Sequence, residues 1–156
     1  MTEILFYHLQ GQKLEGVLPA LLEKSLERGW RAIVQGASEE RIEALDAHLW
    51  TYRDDGFMPH GTWREAEAAE QPVLLTLTDS NPNGANVRFL IEGAPVPVDA
   101  ESYQRIVLLF DGEDEDAVTA ARGRWTEAKA KGFETTYWQP DANGRWVKRP
   151  EARLKG

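Results

Sequence analysis

Apolar residues along this chain alternate between two habits, short unbroken runs and longer stretches in which they return every three or four positions. The first habit marks buried strands and the second marks helices packed by one face. Ile4-Leu5-Phe6-Tyr7, Ala32-Ile33-Val34, Val73-Leu74-Leu75-Thr76-Leu77, Val87-Arg88-Phe89-Leu90-Ile91 and Ile106 to Phe110 read as strands. Between the first two, Val17, Leu18, Leu21, Leu22 and Leu26 repeat with helical period up to a stop at Gly29. Pro19 is tolerable in a first turn, where its missing N–H would have no partner, so this helix is expected to start near Gly16 or Val17. Ser38 offers a cap for a second helix, Glu39 and Glu40 suit its positive end, and Ile42, Leu45 and Leu49 share one face.

From Thr51 to Gln71 the pattern breaks down. Asp54-Asp55-Gly56 signals a turn and Pro59 a break, so a long surface loop is expected there. Pro82-Asn83-Gly84 marks another turn. The acidic run from Glu113 to Asp116 opens a last long helix that Gly132 stops, with a core strand from Phe133 to Trp138 behind it. Pro140 to Gly144 then turn the chain into Arg145-Trp146-Val147. Strands alternating with helices imply an α/β class, a three-layer α/β/α Rossmann-like arrangement around a mostly parallel sheet. No linker divides it, so one domain is expected over residues 1–148, with a flexible tail over 149–156.

Composition narrows the class. A chain of 156 residues with 42% hydrophobic and 28% charged residues can bury a core of its own. It has no cysteine, which removes disulfides and thiolate metal sites. No secretory signal or membrane-length apolar run is visible, so the cytoplasm is the expected setting. The formal charge of −8 disfavours broad electrostatic adhesion to nucleic acid, so neither direct nucleic-acid binding nor a membrane partner is expected.

The doubly wound outline invites a nucleotide, but Gln10-Gly11-Gln12-Lys13-Leu14-Glu15-Gly16 matches neither GxGxxG nor GxxxxGK[ST]. His8, His48 and His60 stand outside any ligand spacing, and Asp54, Asp55 and His60 lack a motif that would make them hydrolytic. With no nucleophile elbow either, neither a catalytic site nor a metal or cofactor is expected. A small nucleotide-dependent enzyme of the same outline remains the alternative.

On the last helix Ala117, Val118, Ala121 and Ala128 form a small-residue stripe for the sheet, leaving Arg122, Trp125, Thr126 and Lys129 turned to the flank. A cationic, aromatic face on an acidic protein fits an acidic, aromatic peptide. Trp50, after Leu49 and before Tyr52, is a second candidate patch for a partner.

These residues resemble the chi-subunit family of bacterial DNA polymerase III holoenzyme. The resemblance runs through Phe6-Tyr7, Ala44-Leu45-Asp46, Leu49-Trp50, Phe57-Met58-Pro59-His60 and Arg122 through Trp125 to Gly132-Phe133 and Trp138. It implies a non-catalytic accessory subunit in DNA replication with a Rossmann-like fold that binds no nucleotide. It also implies two partners: the acidic, phenylalanine-terminated C-terminal tail of single-stranded-DNA-binding protein, and the psi subunit that leads to the clamp loader. Carried over, Arg122 would meet the tail's carboxylates, Trp125 and Phe57 would wall a pocket for its phenylalanine, Gly132 would leave room, and Lys129 would add steering. Leu49 and Trp50 would face psi. Thr126 stands where relatives can carry lysine, which shifts the tail's acids onto Arg122, Arg124 or Lys129.

Overall fold

The computed structural model describes residues 2–53 and 58–149. The expected tail at 150–156, Phe57 and the Asp54-Asp55-Gly56 turn lie outside the described residues. Eight strands form one sheet in the order β3-β4-β2-β5-β6-β1-β7-β8. They are β1 (Glu3–Leu9), β2 (Ala32–Gln35), β3 (Gly61–Thr62), β4 (Val73–Thr76), β5 (Val87–Leu90), β6 (Arg105–Asp111), β7 (Glu134–Pro140) and β8 (Trp146–Lys148). Every neighbouring pair is parallel except β7 with β8.

The unbroken apolar runs are explained by two cores. Leu5 of β1 joins Leu18 and Leu22 of α1 (Leu14–Glu27) and Ile42, Leu45 and Leu49 of α2 (Glu39–Thr51) on one face. Ile4 and Phe6, pointing the other way, join Ala121, Trp125 and Ala128 of α3 (Glu115–Ala130). The result is the three-layer α/β/α arrangement expected from the sequence. Among the described residues no helix is long and apolar enough to cross a membrane.

Three local expectations are corrected. Helix α1 begins at Leu14, so Pro19 sits inside it and not in its first turn. The carbonyl that Pro19 cannot bond is that of Glu15, and the Nε2 of His48 on α2 takes it at 2.9 Å. A side chain thus fills the gap in the backbone ladder and ties the two helices together. The stretch after α2 is not wholly surface loop, because Met58, His60 and Gly61 are buried and β3 pairs with β4. Finally, β7 runs past Trp138 to Pro140, long enough to pair with β8.

The 77–86 segment covers part of the α3 side of the sheet and is pinned by Arg88, whose side chain is 0% exposed. All five of its N–H groups are used. Nε and Nη2 donate to Gln35 Oε1 at 3.0 and 2.8 Å. Nη1 donates to the Ser80 carbonyl and the Tyr103 hydroxyl, and Nη2 also to the Thr78 carbonyl. No carboxylate partners it among the described residues.

Candidate functional site

Helix α3 starts where the sequence says it should, with Asp114 accepting from the amides of Asp116 and Ala117, and stops at Gly132, whose φ of +84° suits glycine. What it buries differs from expectation. The buried stripe is Ala121, Trp125 and Ala128, at spacings of four and three. Trp125 is only 3% exposed and its indole packs edge-on against Phe6 with ring centres 5.2 Å apart. Tyr137, in register with Phe6 on the neighbouring strand, lies 6.4 Å away. The ring therefore cannot wall an open pocket; it is part of the floor beneath the helix. The two flanking alanines make room for it, and that pairing of a large residue between small ones was visible in the sequence.

Arg122, Thr126 and Lys129 do face out. Their positions, four and three residues apart, align them along roughly 10 Å of helix surface. Thr126 Oγ1 donates to the Arg122 carbonyl, so its hydroxyl turns back on the helix. Among the described residues neither Arg122 nor Lys129 is in an ion pair, whereas Lys131 is held by Glu127 at 2.9 Å. Arg124 is engaged within the fold: its guanidinium donates to the carbonyls of Gly93 and Ala94 and clasps that loop to the helix. At Gly132 a side chain would meet nothing, so glycine is required there by the backbone and not by crowding.

Sequence reasoning missed the aromatic cluster beside this helix. His8, Phe110 and Tyr137, from three adjacent strands, converge on the α3 side: His8 Nδ1 bonds the Tyr137 hydroxyl, and the Phe110 ring lies 5.2 Å from that of His8. A side chain at Gly112 would collide with His8, which confines that strand-end position to glycine. Only tertiary pairing brings these residues together, so no spacing signals them. Burial lowers the His8 pKa below the usual 6.5 while Asp111 opposes the shift. The unfolded chain therefore takes up a proton near pH 6.5 that the folded ring resists, and stability falls as the pH drops below that value. Urea unfolding at about pH 7.5 and about pH 5.5 should show a larger loss on acidification for the wild type than for His8→Gln; equal losses would mean that the ring charges freely in place.

At the end of α2 the two psi-facing candidates separate. Trp50 is 51% exposed, with its ring 4.8 Å from that of His60. Leu49 is 1% exposed and belongs to the core, because it continues the Ile42 and Leu45 face, so it offers no surface to a partner.

A nucleotide would be sought in the cleft of about 590 Å³ at the carboxyl ends of β1, β5 and β6. Several of the charged groups that line it are engaged within the protein. Glu92 Oε1 accepts from the amides of Ala37 and Ser38 and its Oε2 from the Ser38 hydroxyl, placing a built-in carboxylate where an anion would sit before α2. Arg41, on the cleft wall, pairs with Glu15 at 2.6 Å. Among the described residues no cluster of three or more acidic or imidazole groups could hold a metal ion.

The model of the DNA polymerase III chi subunit (HolC) family matches residues 1–136. A DNA polymerase III subunit chi from Pseudomonas aeruginosa is 28% identical over 138 residues, covering 85% of this chain and 93% of that one. A probable DNA polymerase III subunit chi from Rickettsia prowazekii is 26% identical over 117 residues, 71% of each chain. The family match spans everything from β1 to the middle of β7, and the chain belongs to the chi-subunit family of DNA polymerase III.

Proposed function

We propose that this subunit has no catalytic site of its own and works in the cytoplasm as a tether. In this reading the Arg122–Thr126–Lys129 face of α3 holds the acidic C-terminal tail of single-stranded-DNA-binding protein, and the exposed Trp50 at the end of α2 reaches psi and, through it, the clamp loader. The observation that carries the reading is the pair of exposed cations, without ion-pair partners among the described residues, on one helix face of a chain whose net charge is −8. With Trp125 turned inward, the tail's phenylalanine rests instead on the half-buried Phe110 beside Tyr137. A charge-assisted contact contributes about 1.5–3 kcal/mol and a partly filled aromatic ledge a similar amount, which together with steering gives micromolar affinity.

Fluorescence anisotropy with a labelled acidic peptide ending in Asp-Ile-Pro-Phe tests this. Binding should saturate, weaken with salt, and fall at least about tenfold in Arg122→Glu. Thr126→Lys, which adds a third cation to the line, should tighten it by about twofold to fivefold. Failure of the wild type to bind would reject the tether.

A further inference from the structure

The face of the sheet opposite α3 is not fully covered. Helices α1 and α2 pack over its middle, and a groove of about 660 Å³ lies beyond α1 where β1, β7 and β8 continue. Its floor carries the rings of Tyr7 and Trp138 beside Leu5, Val107 and Thr136, and Trp146 flanks it. Tyr7 is in register with Trp138, their rings nearly parallel at 14° and 6.2 Å apart, and Trp146 of β8 meets Tyr7 edge-on at 5.0 Å. All three rings are partly exposed. The buried indole N–H of Trp138 has no acceptor among the described residues.

The borders are cationic. Lys148, opposite Trp138 in the β7–β8 register, places its ammonium 5.8 Å from that ring. Across the groove Lys24 in the last turn of α1 and Arg28 just after it supply two cations, with Glu27 between them as one acid. Among the described residues none of these three cations is in an ion pair. Arg105 adds a fourth guanidinium, neutralised by Glu3.

Charge along the sequence points the same way. From Arg145 to Gly156 there are five basic residues and one acidic, so the last stretch is at +4 and the chain before it at −12. The family match ends at residue 136, before β8, Trp146 and Lys148. A basic, tryptophan-bearing ending on an otherwise acidic chain is a local departure that the total of −8 conceals.

We propose that this groove binds single-stranded nucleic acid, with bases stacked on the Trp138, Tyr7 and Trp146 rings and phosphates along Lys148 on one side and Lys24 and Arg28 on the other. Two nearly parallel rings, Tyr7 and Trp138, with Trp146 edge-on beside them on an open sheet face and cations along both borders, form a stacking platform for bases. An acidic peptide anchored by one side chain needs a single deep notch beside a cation, which this face does not have. Broad adhesion stays disfavoured by the acidic remainder, so affinity is confined to a short single strand. The groove is on the other side of the sheet from α3 and does not rest on the tether.

The test is a titration of the full chain with a fluorescein-labelled oligothymidylate of about 16 nucleotides. Saturable binding is expected at about 50 mM salt, with log K falling against log salt at a slope of about −2 for three engaged phosphates. Tryptophan fluorescence should be quenched as bases stack. Arg28→Glu with Lys148→Glu, both exposed positions, should weaken binding at least about tenfold, and Trp146→Ala about fivefold. Arg122→Glu should leave it unchanged while abolishing tail-peptide binding, so that either surface can fail alone. The proposal is overturned if the wild type does not bind the oligonucleotide, if the double variant binds equally well, or if a duplex of the same length or a glutamate-rich peptide binds as tightly.

Discussion

Trp125→Ala is expected to cost the fold about 3–5 kcal/mol, the range for emptying a large aromatic site in a packed interior. The indole is 3% exposed and packs on Phe6 and Tyr137, while Ala121 and Ala128 are too small to close the space it would leave. Urea unfolding monitored by circular dichroism gives the loss directly. Trp125→Phe should retain much of the stability, at a cost of about 1–2 kcal/mol, because it removes an indole N–H that has no partner among the described residues. The competing expectation, that this ring forms a peptide wall, makes the opposite forecast. If Trp125→Ala unfolds within about 1 kcal/mol of the wild type yet no longer binds the acidic peptide, the ring acts at the surface and the assignment of Phe110 as the ledge fails.

Removing Arg88 should be comparably damaging. Its guanidinium is entirely enclosed, and its five donors satisfy Gln35, two carbonyls of the 77–86 segment and Tyr103. Arg88→Ala leaves those acceptors without donors and opens a cavity, a loss of about 3–5 kcal/mol against a typical total of 5–15. Arg88→Met fills the volume and abolishes the buried charge with its desolvation cost, so it should lose less than alanine. Arg88→Lys keeps the charge but cannot reproduce the fork. Thermal unfolding should rank the chains wild type, methionine, alanine. An alanine variant as stable as the wild type would show that the 77–86 segment holds its place without the guanidinium.

Much of the fold was legible because its signals are local. Continuous apolar runs marked the buried strands, Ser38 and the acidic run from Glu113 to Asp116 marked helix starts, and the glycines after α1 and α3 marked their ends. The misplaced start of α1 shows the limit of local rules. Pro19 argues against a helix interior until His48, from another helix, supplies a donor to the Glu15 carbonyl. The candidate site was half legible. Helical spacing correctly put Arg122, Thr126 and Lys129 on an outer face, but Trp125 was assigned by its chemical company and not by its place between two alanines. Leu49 was grouped with Trp50 as a neighbour in sequence, although adjacent residues on a helix point about 100° apart and only one of them reaches solvent.

By itself the sequence determined the order and type of the elements, the outward cations of α3 and the family pattern, since each rests on propensity, period or spacing within one segment. Tertiary structure alone decided which rings are sealed and which are open, because burial depends on what packs from elsewhere in the chain. It set His8 against Tyr137, placed Glu92 on the amides before α2, and laid Trp146 and Lys148 beside Trp138 across a strand pairing that no local pattern encodes.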